Sequence, residues 1–178
     1  RDIENAYLDA INGASREVLI ANAYFLPGRR FRQALLRAAA RGVKVTLLLQ
    51  GRVEYLLLHY ATRGLYGALL DGGIRIHEYH RSFLHAKVAV IDGVWSTVGS
   101  SNIDPFSLLM AREANVIVRD TGFAGELRGS LERAMAIGAK ELRPTDWKRV
   151  PLYSRLSSWF AYGLVRLMMG ITGYLRHH

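Results

Sequence analysis

His85-Ala-Lys87-Val-Ala-Val-Ile-Asp92-Gly93-Val-Trp-Ser-Thr-Val-Gly99-Ser100-Ser101-Asn102 reads as one β-hairpin with polar groups gathered at its open end. Ala86 to Ile91 is apolar and β-branched enough for a strand, and Asp92-Gly93 is a strong two-residue turn signal. Val94 to Val98 is the returning strand. With Asp92 and Gly93 as the loop, Ile91 faces Val94, and counting back sets His85 opposite Ser100. Period-two alternation places His85 and Lys87 on one face of the first strand. Gly99 is expected to let the chain turn away, so that Ser100 and Asn102 aim donors at the same patch.

Each residue type has a chemical use at a phosphate ester. A neutral imidazole can attack phosphorus or pass a proton to a leaving alkoxide. Lys87 offers positive charge to non-bridging phosphoryl oxygens, and Ser100 and Asn102 add neutral donors. Glu113, on an expected strand from Glu113 to Arg119, is the nearest candidate carboxylate to hold the imidazole tautomer. Asp92 is accounted for by the turn itself, because Asp-Gly is what a tight hairpin asks for. Taken singly, a His and a Lys two apart are an ordinary edge pair, Ser100 and Asn102 ordinary loop, and Glu113 an ordinary surface carboxylate. Jointly, six positions at fixed spacing across one hairpin make chance the minority explanation.

This pattern, H-x-K-x(4)-D followed by G-S-x-N, resembles the signature of the phospholipase D superfamily. Within it the chain is similar to the bacterial cardiolipin synthases, and most to the B type. The resemblance also runs through Asn22-Ala-Tyr24-Phe25-Leu-Pro27-Gly, Arg41-Gly-Val-Lys-Val, Ile103-Asp104-Pro105-Phe-Ser107-Leu and Glu113-Ala-Asn115-Val-Ile, covering residues 3 to about 140. It implies an active site built from two such motifs, on two lobes or two subunits. One histidine becomes the covalent nucleophile and the other protonates the leaving group, with no metal and no cofactor. Only one motif is present in the 178 residues, and the chain starts at Arg1 without an initiator Met. The expectation is therefore the C-terminal lobe of a two-lobe enzyme, with His85 as general acid and base.

The rest of the chain supplies the frame. Helical spacing over Asp2 to Gly13, an apolar strand from Glu17 to Ala23 and a basic helix from Arg29 to Arg41 open it. A strand from Val43 to Gln50, a helix from Tyr55 to Leu70 and a strand from Ile74 to Tyr79 lead into the hairpin, and a helix from about Thr121 to Ala139 follows it. Strands alternating with helices predict an α/β layered fold, a mixed sheet flanked by helices, over residues 1–143. There is no cysteine, hence no disulfide framework and no thiol chemistry. His77 and His80 lie near His85, yet no second cluster of Asp, Glu or Cys completes a metal-ligand set. Tyr24-Phe25-Leu26-Pro27 suits either an acyl or headgroup pocket or plain core packing.

Residues 144–178 read differently, as a basic amphipathic tail with no acidic residue from Trp147 onward. On a helical wheel Leu156, Phe160, Leu164, Leu167, Met168, Ile171 and Leu175 share a broad apolar face, opposite Arg155, Ser158, Tyr162, Arg166 and Arg176. Arg166 near the centre would cost about 2.5–3.5 kcal/mol in a spanning helix, so the pattern predicts a helix lying in a membrane interface. The bland alternative is a helix packed on the domain. A net charge of +9 and a pI near 10.2 attract any polyanion, lipid headgroup or nucleic acid alike.

Together these readings predict a lobe of a phosphatidyltransferase that makes cardiolipin from phosphatidylglycerol, peripheral to the bacterial cell membrane. Its expected partners are anionic phospholipid and a second motif-bearing lobe or dimer mate, with no nucleic acid. The rivals are a homodimeric phosphodiesterase acting on nucleic acid and a non-catalytic membrane-binding module. A nuclease has no use for the tail's apolar face.

Overall fold

The computed structural model describes residues 2–104, 107–108 and 111–175, with side chains as far as Met168. Strands β1 (Glu17–Asn22), β2 (Lys44–Gln50) and β3 (Arg75–Tyr79) run parallel, as right-sized connections through α2 (Arg29–Ala40) and through α3 (Leu56–Arg63) and α4 (Tyr66–Asp71) require. β4 (Lys87–Ile91), β5 (Trp95–Gly99) and β6 (Asn115–Arg119) add antiparallel strands on one side of β1. β7 (Ala139–Leu142) closes the other side against β3, giving a seven-stranded mixed sheet in the order β6-β5-β4-β1-β2-β3-β7.

The central strands are apolar on both faces because both faces are covered. Val18 and Ile20 of β1 and Val45, Leu47 and Leu49 of β2 point into one core. That core is completed by Tyr7 and Ile11 of α1 (Asp2–Gly13), Phe31 and Leu35 of α2 and Leu69 of α4. Leu19, Ala21 and Leu48 point the other way, onto Leu131 of α5 (Thr121–Gly138). Each fully buried aliphatic or aromatic side chain here contributes about 1.5–3 kcal/mol of transfer free energy.

The layered α/β expectation is met, with informative departures. The Asp92-Gly93 turn forms as expected, with φ of 53° and 68° and the Val94 N–H donating to the Ile91 carbonyl at 3.2 Å. However, Ile91 pairs with Trp95, so Val94 is an extra, bulged residue and the register shifts by one. The expected His85–Ser100 pairing is displaced and falls outside the ladder, which runs from Val88 opposite Val98 to Ile91 opposite Trp95. Glu113 lies before β6 rather than on it. The single helix expected from Tyr55 to Leu70 is two, broken where the Ser158 carbonyl and Tyr162 crowd Gly64 too closely for any side chain.

The tail forms α6 (Pro144–Arg149) and α7 (Leu152–Leu175), and neither stands apart from the lobe. Trp147, Ala161 and Val165 belong to the main core, and Ser158 is buried beside them. The Arg32 guanidinium donates to the Tyr162 hydroxyl at 3.3 Å. The wheel is thus inverted: Ser158 and Tyr162, expected on the polar side, pack on protein, while Leu156, Phe160, Leu164, Leu167 and Met168 stay exposed. Arg176 and the side chains of Ile171 and Leu175 lie outside the described residues. Among the described residues no helix is long and apolar enough to cross a membrane.

Candidate active site

β4 runs antiparallel to β1, so its first residues meet the carboxyl ends of the parallel strands, where open α/β sheets place their ligand crevices. Asn22, the last residue of β1, pairs with Lys87. The Ala23 N–H donates to the Ala86 carbonyl at 2.9 Å, and the Leu84 N–H donates to Gln50 Oε1 at 3.1 Å. Both residues flanking His85 are therefore fixed by the ends of β1 and β2. The Arg52 guanidinium secures the approach by donating to the carbonyls of His80 and Arg81, each at 2.7 Å, and lies over the Phe83 ring. His85 itself is exposed on this braced backbone.

Lys87 Nζ stands 3.0 Å from His85 Nε2. An ammonium can only donate, so with Lys87 charged Nε2 is the acceptor and the ring proton sits on Nδ1. Lys87 is buried at 7% exposure, and that burial pulls its pKa below 10.5, while the charges of Glu113 and Glu54 push it back up. Glu113 thus acts on Lys87. Among the described residues no hydrogen bond joins it to His85, so the expected tautomer-holding contact is absent here.

Ser100 and Asn102 meet different fates. The Ser100 hydroxyl donates to the Ala114 carbonyl at 3.4 Å and accepts from the Ala114 N–H at 3.1 Å, which ties it to the start of β6. Gly99 does not turn the chain by a left-handed backbone; a Cβ there would stand 2.2 Å from Asn115 Oδ1, so close approach is what requires glycine. Asn115 Oδ1 accepts from the Ser101 N–H at 3.3 Å, and its amide donates to Thr97 Oγ1 at 3.2 Å. Asn22 Oδ1 accepts from the Ile103 N–H at 3.2 Å, holding the loop over the end of β1.

Asp92 is not brought to this group. It sits at the far end of β4, where its carboxylate accepts from the N–H groups of Ser15, Arg16 and Glu17 at 2.8, 2.8 and 2.9 Å and from the Ser15 hydroxyl at 3.0 Å. Burial raises its pKa, but these hydrogen bonds outweigh burial and leave it below the ordinary value. Asp92 clamps the α1–β1 connection, a role larger than the turn alone.

The rim also carries residues that the motif did not announce. The Tyr24 hydroxyl donates to Glu54, and the two line a cleft with Ala23, Gln50, Arg52 and Tyr55. Three buried amide atoms around the rim, Asn22 Nδ2, Gln50 Nε2 and Asn102 Oδ1, have no hydrogen-bond partner among the described residues. Such atoms cost about 1–3 kcal/mol each unless something satisfies them. Tyr24 carried a hint, in the aromatic run after the first strand. Glu54 and Arg52 carried none, since nothing in a loop sequence says which way it folds back.

A family described as cardiolipin synthase, PLD-like domain, matches residues 7–135. The chain belongs to this family. A cardiolipin synthase B of Escherichia coli O6:H1 is 41% identical over 99% of this chain and 43% of the relative. A minor cardiolipin synthase of Bacillus subtilis is 29% identical over 91% of this chain and 40% of its own length. The chain thus spans about two-fifths of the curated relatives it matches. In fold it is similar to Nuc of Salmonella typhimurium, a phospholipase D family member, with a TM-score of 0.67 at 22% identity over 78% of this chain and 90% of that one. It is also similar to a phosphatidylserine synthase of Haemophilus influenzae, with a TM-score of 0.71 at 12% identity over 94% of this chain and 43% of that one. The motif and the flanking Tyr24 and Asn115 fall inside the matched residues.

Proposed function

We propose that this chain is one lobe of a phosphatidyltransferase that joins two phosphatidylglycerol molecules into cardiolipin, releasing glycerol. The observation that carries this is the His85–Lys87 pair, 3.0 Å apart on a braced rim with unsatisfied amides around it. A second motif, on another lobe or a dimer mate, supplies the nucleophilic histidine. In the first step that imidazole forms a P–N bond while the P–O bond to the departing glycerol breaks. His85 gives the leaving oxygen its proton. In the second step a headgroup hydroxyl of the other lipid attacks phosphorus, the P–N bond breaks, and His85 takes the hydroxyl proton.

Lys87 links proton transfer to substrate arrival. In the free site it occupies Nε2 of His85. A phosphate brought against Lys87 offers stronger, charged acceptors, so the ammonium turns to it and frees Nε2. Nε2 is then free to carry the proton that the leaving oxygen takes. In this reading Asn102 is a neutral donor to that phosphate, the Ser100 hydroxyl is held by Ala114, and Asp92 takes no part in the chemistry. No metal and no cofactor are invoked.

The exposed face of α7 supports peripheral attachment to the bacterial cell membrane. Phe160 is 74% and Leu167 61% exposed, while the same helix buries Ala161 and Val165. Large apolar residues on the outside of a helix already seated on protein fit the headgroup–acyl boundary, and Arg166 is exposed on the same helix, where it can meet anionic lipid. The test is mass spectrometry of lipids made by the active two-site assembly, comparing His85→Ala with wild type. A loss of about 10²–10⁴-fold in cardiolipin is expected. Undiminished cardiolipin would refute the assignment.

A further inference from the structure

The Tyr24–Glu54 pair is out of place in a site for anions. A bare carboxylate beside a phosphate pocket repels the substrate, and a lysine there needs no second counter-charge once phosphate is bound. Its position is nonetheless close to the chemistry. Tyr24 follows two residues after Asn22, which pairs with Lys87. Ala23 and Gln50 line the same cleft as Tyr24 and Glu54, and they are hydrogen-bonded to Ala86 and Leu84, the two neighbours of His85. The lining of the cleft is therefore tied to both chain neighbours of the imidazole, and the Glu54 charge is felt at Lys87.

The pair's chemistry is one-sided. Glu54 Oε2 accepts the Tyr24 hydroxyl, and the Tyr24 ring is set edge-on to Tyr55 with centroids 5.7 Å apart. Burial and the Glu54 charge both push the tyrosine pKa far above its usual value, so it stays a donor committed to Glu54. The other carboxylate oxygen accepts no hydrogen bond among the described residues. What suits it is a neutral O–H donor. Phosphate does not, and a monohydroxy alcohol whose single hydroxyl is at phosphorus has nothing left to give.

We propose that Glu54, held by Tyr24, is a specificity-determining residue for the acceptor, binding the non-reacting hydroxyl of a glycerol-type headgroup. The proposal rests on the phosphatidyltransferase reading above. It makes the carboxylate a device for choosing a vicinal diol over a simple alcohol or water.

The active two-site assembly is given headgroup-deuterated phosphatidylglycerol with unlabelled glycerol and ethanol competing at equal molarity. Phosphatidyl products are counted by mass spectrometry. Wild type should favour the glycerol product, and Glu54→Ala should lower the glycerol-to-ethanol ratio about tenfold, with Tyr24→Phe lowering it less. Glu54→Gln, which keeps shape and an acceptor oxygen but not the charge, should fall between wild type and Glu54→Ala. The ratio is internal to each preparation, so partial loss of folded protein does not move it. An unchanged ratio in all three variants overturns the proposal, as does loss of both products in all three, which would put the pair in the transfer step. If wild type forms neither product, it is the phosphatidyltransferase reading that fails.

Discussion

The two ends of β4 spend their polar groups in opposite ways. At the Asp92 end four hydrogen bonds converge on one carboxylate from the Ser15–Glu17 segment, and Arg16 adds another to the Asp92 carbonyl. Protein donors satisfy the Asp92 carboxylate there, and a connection 75 residues away in sequence is locked to the hairpin. At the His85 end, a buried lysine sits against an imidazole, and Asn22, Gln50 and Asn102 each keep a buried polar atom without a partner among the described residues. One strand thus carries a structural clamp and a site with capacity to spare. A motif of fixed spacing can hide two functions, because five residues of strand separate its ends.

Lys87→Met breaks this contrast most forcefully. The charge that would meet phosphate is lost, and cardiolipin formation should fall about 10²–10³-fold. Stability should move the other way, since burial already disfavours the ammonium. A melting temperature equal to or above wild type, together with lost activity, is the expected pair of readings. A clear drop in melting temperature would mean that Lys87 is part of the scaffold.

A second contrast lies across α7, between Ala161 and Val165 in the core and Leu156 and Phe160 outside it. Removing the whole helix would open the core, so the outer face is tested alone. Leu156→Glu with Phe160→Glu should leave the melting temperature within about 2 °C, since exposed substitutions shift stability little. Sedimentation with vesicles of phosphatidylglycerol should weaken about 10–100-fold, the transfer free energy of two partly inserted side chains. Equal sedimentation of variant and wild type would sink the membrane-facing role of α7.

What was legible in the sequence follows how local the cause is. The turn was legible because Asp-Gly states its own backbone geometry, and β1 and β2 because strands covered on both faces are apolar throughout. The register was not, because the bulge at Val94 depends on Trp95 reaching Tyr7 and the core, a partner far away in sequence. β7 escaped notice as a four-residue edge strand whose Lys140 and Glu141 look like loop. On α7 the wheel found two faces and misjudged which one packs. Close packing favoured the small Ser158 and Ala161, whereas a wheel weights large residues. In the candidate site, the closeness of His85 and Lys87 was legible from spacing. Glu54 came from a loop folding back 31 residues upstream of His85, and only the fold brings it there.

The Asp92 clamp predicts a smaller but clean effect. Asp92→Ala removes four acceptor contacts to a half-exposed carboxylate, and after discounting for solvent about 2 kcal/mol is expected. For a chain of this size that is a fall of about 4–8 °C in melting temperature. The folded fraction should keep its lipid chemistry, in contrast to Lys87→Met. An unchanged melting temperature would return Asp92 to being a turn residue and nothing more.

The smallest effect separates the charge of Asp92 from its shape. Its folded pKa lies below the ordinary 3.8, so the unfolded chain binds the proton more readily than the native one. The contribution is therefore fully present above pH 3.8 and is lost as pH falls through the folded value. Asp92→Asn keeps the size and one acceptor oxygen but has no such titration. The gap in melting temperature between wild type and Asp92→Asn should be constant from pH 8 to about pH 5 and narrow below about pH 4, toward the acid limit. A gap that stays constant into acid would mean that the clamp works by geometry alone. In that case the carboxylate's charge would contribute nothing to holding the α1–β1 connection against the hairpin.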